Sequence, residues 1–158
     1  MTPFIGRRLY PLLVLSLSLA TACASRPQAP TANLSDGVTG HPITLRSAHD
    51  AMAKVRHIYV AENHESSIDH FVQLQVLAEA HRLDEGVALA IEWLPHTLQD
   101  KLNTWLAGSG SKESFLEIIT WKKTWGFSLD LYWPILSWAH EHAIPIYALN
   151  APRNLVFG

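Results

Sequence analysis

An α/β fold, a partly parallel sheet flanked by helices, is the class this sequence predicts, on three observations. Ile58–Val60, Val87–Ile91 and Ile144–Leu149 are short apolar runs with the β-branched and aromatic content of buried strands. Amphipathic stretches of helical period lie between them. The middle run, Val87-Ala88-Leu89-Ala90-Ile91, has no polar alternation, which implies cover on both faces as in a parallel sheet.

Taken in order, Ser47–Lys54 predicts a short helix with Ser47 as cap and Ala48, Ala51 and Met52 on one face. Ile58–Val60 is the first strand and ends in Glu62-Asn63-His64. A helix over Ile68–Arg82 carries Phe71, Leu74, Leu77 and Ala78 on one stripe, widened by Ile68, Val72 and Val76, and Asp84-Glu85-Gly86 ends it. The second strand runs into Glu92-Trp93. Thr97–Ala107 is helical, with Leu98, Leu102, Trp105 and Leu106 at the matching spacing and Gly108 as the stop. Ser111 caps another helix carrying Phe115, Ile118 and Ile119. Trp121–Asp130 is an aromatic-rich connection. Pro134 opens a helix at its favoured first position, with His142 on the apolar face. The third strand ends at Asn150, and a further helix starts near Pro152. Three strands make a small sheet with exposed edges, so the domain is expected to be incomplete at Gly158.

The first 22 residues are set apart from the fold. Arg7-Arg8 form a basic start, Leu9–Leu19 an apolar core too short to span a bilayer, and Ala20-Thr21-Ala22 a small-residue cleavage region. Cys23 follows and is the only cysteine, so no intramolecular disulfide is possible. The arrangement resembles a bacterial lipobox, with Cys23 lipidated, although Leu19 stands four places before the cysteine where three is usual. Plain cleavage leaving a free thiol and a twin-arginine route are the alternatives. Loss of Arg7 and Arg8 would leave ten Lys+Arg against fourteen Asp+Glu, a net charge of −4. Residues 23–45, rich in Pro, Ala, Ser, Thr and Gly, read as anchor and flexible tether, and residues 46–158 as the α/β domain. Apolar content of 48% excludes a disordered chain, and the acidic balance gives no reason to expect nucleic acid as a partner.

The chemistry gathers at the strand ends. In a parallel sheet the C-terminal ends share one edge, the usual ligand edge of α/β folds. There stand Glu62 and His64, then Glu92, then Asn150 with Arg153 close behind. One polar residue at a strand end merely meets water; three strands ending this way point to a site. Glu92 directly follows five apolar residues, where a carboxylate is partly desolvated. Two carboxylates and an imidazole can hold a divalent metal and a water, or serve as general acid and base. His64-Glu65 is not the HExxH zinc motif, because Ile68 occupies its fifth position. His64 and His70 can share a site only if the turn between them folds back. Trp121, Trp125 and Trp133, with Phe127 and Tyr132, could wall a hydrophobic ligand or simply pack.

Four segments carry a resemblance: Tyr59-Val60-Ala61-Glu62-Asn63-His64, Leu89-Ala90-Ile91-Glu92-Trp93, Tyr132-Trp133-Pro134-Ile135-Leu136-Ser137-Trp138-Ala139, and Leu149-Asn150-Ala151-Pro152-Arg153. Together they resemble the ChaN-like haem-binding lipoproteins of the TraB/Tiki superfamily. Two departures stand out. Ala61 replaces the usual glycine, and the family domain is about twice as long, with a second Gly-x-x-His motif of its metal-dependent members in the remaining half. The resemblance implies a lipid-anchored outer-membrane protein that binds haem for iron uptake, as a homodimer, with the iron held by a tyrosine. Tyr132 is the candidate tyrosine, Glu62, His64, Glu92 and Asn150 form the polar end, and Arg153 meets a propionate. The rival expectations are a metal-dependent hydrolase using Glu62, His64 and Glu92, and a truncated chain without function.

Overall fold

The computed structural model describes residues 34–152 and 155. The leader, Cys23 and Arg153 lie outside the described residues, as does most of the helix expected after Pro152.

Two small sheets are present among the described residues. Within the stretch expected as a tether, β1 (Leu34–Ser35) and β2 (Pro42–Ile43) pair antiparallel. Their turn is built on Asp36, whose carboxylate accepts from the backbone of Val38 and Thr39 and from the Thr39 hydroxyl. These bonds hold the Asp36 carboxyl below its usual range. α1 (Leu45–Met52) starts earlier than the sequence indicates, because Thr44 and Ser47 form a reciprocal capping box with Thr44 as the cap.

α2 (Ser67–Leu83) is capped by Ser66 and ends at Asp84. β3 (Leu89–Pro95) then leads through a 3-10 turn at His96–Leu98 into α3 (Gln99–Leu106). α4 (Lys112–Ile118) is capped by Ser111, and α5 (Trp121–Thr124) is one short turn in the aromatic connection. α6 (Leu129–Glu141) precedes β4 (Ile146–Asn150). β3 and β4 pair in parallel, with Leu89 opposite Ile146 and Ile91 opposite Ala148, so the α/β reading holds.

Two further expectations are corrected. Ile58–Val60 forms no strand: residues 57–63 run without a ladder, tied to α2 by the Gln73 side chain at the Val60 carbonyl, 3.4 Å. Ile58 and Tyr59 face solvent, Tyr59 at 92% exposure, so the apolar run buries too little to hold it in a sheet. The parallel sheet therefore has two described strands, and Glu62 and His64 leave a loop rather than a strand end. α6 begins five residues before Pro134. Leu129, Tyr132, Ile135, Leu136 and Ala139 form one buried stripe, and burying it outweighs the single backbone bond that an interior proline removes.

The core joins Ile91, Trp93 and Leu94 of β3, Leu102 and Trp105 of α3, Phe115 of α4, the α6 stripe, and Ile146 and Ala148 of β4. Trp105 donates its indole N–H to the Ser111 carbonyl, and Trp121 donates to the Phe127 carbonyl, so these two buried indoles are satisfied. α2 and α6 lie side by side and point the same way. His70 near the start of α2 meets Tyr132 near the start of α6, and His81 near the end of α2 meets Trp138 and His142 at the other end.

Leu136 has no exposed surface at the centre of this core. Leu136→Ala is expected to cost about 2–5 kcal/mol in urea unfolding of the full chain. A loss below about 1 kcal/mol would contradict this packing.

Candidate functional site

The site is built on one carboxylate. Glu62 lies in the turn before α2 with only 3% of its side chain exposed. Its Oε1 accepts from His64 Nδ1 at 2.8 Å and from the Tyr132 hydroxyl at 3.2 Å. Its Oε2 lies 2.7 Å from His70 Nδ1, a charge contact out of hydrogen-bond alignment, and is buried without an aligned donor. The turn folds back as a shared His64–His70 site requires. Ser66 caps α2, the Asp69 carboxylate accepts from the Asn63 backbone, and His70 Nε2 lies 3.2 Å from the His64 carbonyl.

His70 is the residue that the sequence reading tied to His64 only on condition that the turn folds back. It is 3% exposed, and both its ring nitrogens face acceptors: Glu62 Oε2 and the Gln73 side-chain oxygen on one side, the His64 carbonyl on the other. The available signal was spacing, since residues 70 and 73 are one helical turn apart on the face of α2 that looks back at the Glu62 turn.

Tyr132 stands apart from an iron ligand. It is fully buried, and its hydroxyl is committed to Glu62 and, at 3.3 Å, to the His64 carbonyl. Burial pushes its phenol well above the usual range; the nearby Trp125 indole opposes this, and the Glu62 and Glu92 charges add to it. The Trp125 Nε1 is itself buried and short of a hydrogen bond. In this arrangement Tyr132 orients Glu62 as a neutral donor.

His64 is the exposed member, with 36% of its side chain open and its ring against Trp125 at 4.8 Å and Phe127 at 4.6 Å between centroids. Because the Glu62 carboxylate accepts at Nδ1, the proton sits there and Nε2 keeps a free lone pair. Glu92 lies on the solvent-facing side of β3, and one ligand atom each from Glu62, His64 and Glu92 lies within 4.8 Å of the others. A divalent ion fits such a donor set, and the unaligned Glu62 Oε2 is an oxygen that an ion would satisfy. Asn150 ends β4 exposed, opposite Pro95 in the ladder and outside that trio.

Comparison with protein families matches residues 48–157 to the family described as haem-binding uptake, Tiki superfamily, ChaN. The chain belongs to this family. No curated protein and no solved structure matches it. The ChaN match covers the Glu62 turn, α2, Glu92 and α6, so every residue of the described site falls inside the family region.

Tyr132→Phe removes one of two donors on Glu62 Oε1 and should cost about 2 kcal/mol in denaturant unfolding. A raised phenol value means that the folded state holds this proton more tightly than the unfolded chain. The stabilisation is complete below the ordinary tyrosine value of about 10 and fades as pH climbs through the raised one. The unmodified chain should therefore lose more stability above that pH than Tyr132→Phe does. Parallel alkaline profiles would contradict the assignment.

Proposed function

We propose that this protein is a haem-binding lipoprotein that assists bacterial haem or iron uptake. Family membership supports the haem class. The observation that carries the reading to particular residues is His64: a half-exposed imidazole whose Nδ1 proton is fixed by a buried carboxylate and whose ring lies against two aromatic side chains. Such a ring offers Nε2 as a ligand to haem iron, and Trp125 and Phe127 offer apolar surface to a porphyrin. The bound haem would supply the iron chemistry. The chain itself orients the imidazole through Glu62, His70 and Tyr132. Arg153 is assigned to a haem propionate and Asn150 to the rim. In the same proposal lipidated Cys23 tethers the domain to the outer membrane, and the protein works as a homodimer.

Titrating haem into the full-length chain should shift the Soret band, with His64→Ala weakening the complex by about tenfold or more. Absence of a shift at any haem concentration contradicts the proposal.

A second reading, a metal-dependent hydrolase, is favoured by the convergence of Glu62, His64 and Glu92. Here the trio would hold a divalent ion, which would supply an activated water. Protein purified without haem should then contain stoichiometric zinc, manganese or cobalt, lost in Glu92→Gln. Metal-free protein counts against it.

A further inference from the structure

A second cluster of nitrogen donors lies at the opposite end of the helix pair. We propose that His81 and His142 form a binding site for a borderline transition-metal ion, Cu2+ foremost, independent of the Glu62 site.

Four observations carry this. The two rings lie 5.6 Å apart between centroids. With metal–nitrogen distances of about 2 Å, two imidazoles sharing one ion place their centroids about 4.5 to 6 Å apart, and the observed separation falls in that range. His142 is preset as a ligand: its Nδ1 donates to the Trp138 carbonyl at 2.8 Å, which leaves Nε2 bare, and its ring stacks on Trp138 at 3.9 Å. That stack also limits the rotamers the exposed side chain would lose on binding. Trp138 meets His81 edge-on at 5.7 Å and so fixes both rings.

The third observation is an orphan. His81 Nδ1 is the one histidine nitrogen among the described residues that is buried without a hydrogen-bond partner. Buried polar atoms rarely go unpaired, and a bound ion is a partner that would satisfy this one.

The fourth is electrostatic. His81 lies in the last turn of α2, and His142 is the C-cap of α6. Since the two helices run parallel, their negative ends converge on the same place, and a cation there is favoured by both. The same alignment turns their positive ends toward the buried Glu62 carboxylate. Two imidazoles suit copper, nickel and zinc, and copper binds such donors most tightly, with water completing its coordination.

The test titrates copper(II) chloride into full-length protein carrying Cys23→Ser and His64→Ala, which removes the lone thiol and the imidazole of the first site. One equivalent should bind and quench tryptophan emission. Adding His142→Ala, at an exposed position, should weaken binding by about tenfold or more, and His81→Ala should do the same. Trp138→Phe should keep the copper, read by electron paramagnetic resonance, while losing most of the quenching. Unchanged copper affinity and stoichiometry in the His142→Ala protein would overturn the proposal. So would an electron paramagnetic resonance spectrum without nitrogen ligation. Neither result bears on haem binding, which is read by the Soret band of the unmodified chain.

Discussion

The structure depends on keeping the carboxylate of Glu62 out of water. A buried charge is costly unless its oxygens are matched. Here Oε1 is matched by His64 from the same turn and by Tyr132 from α6, seventy residues away in sequence, while Oε2 lies against His70 from the first turns of α2. One side chain thereby fixes the turn, the start of the longest described helix and the helix that carries the core. Removing any partner leaves a charge partly unpaired in a low-dielectric environment, which costs more than the contact itself contributes.

The same interaction decides which groups face outward. With Tyr132 and His70 committed beneath the carboxylate, His64 is the imidazole left with a free nitrogen toward solvent, beside Glu92 on the open face of β3. Two parallel helices extend the pattern across the molecule. Their positive ends lie toward the carboxylate, and their negative ends meet at a pair of imidazoles.

Much of this was legible in the residues. The helical stripes, the cap Ser111 and the apolar β3 and β4 follow from period and spacing. Glu62, His64 and Glu92 were named from a shared strand edge, and the structure brings them together although Glu92 lies within β3 and the other two in a loop. Four things were not. Ile58–Val60 reads as a strand because composition reports apolarity, whereas pairing depends on what covers it, and Tyr59 is open to water. Pro134 reads as a helix start because local preference is visible and the burial of Leu129 and Tyr132 upstream of it is not. Tyr132 reads as an available phenol because sequence carries no depth; its role under Glu62 emerges only once α6 is packed. His142 is a similar case, assigned to an apolar face yet exposed at the helix end, where it stacks on Trp138.

The central claim is that buried Glu62 holds the proton of His64 on Nδ1 and leaves Nε2 free. Nitrogen-15 chemical shifts of the His64 ring, recorded on the alkaline side of neutrality, report this directly. A protonated Nδ1 and an unprotonated Nε2 are expected, with that preference lost in Glu62→Gln. A ring protonated on Nε2 in the unmodified protein would contradict it.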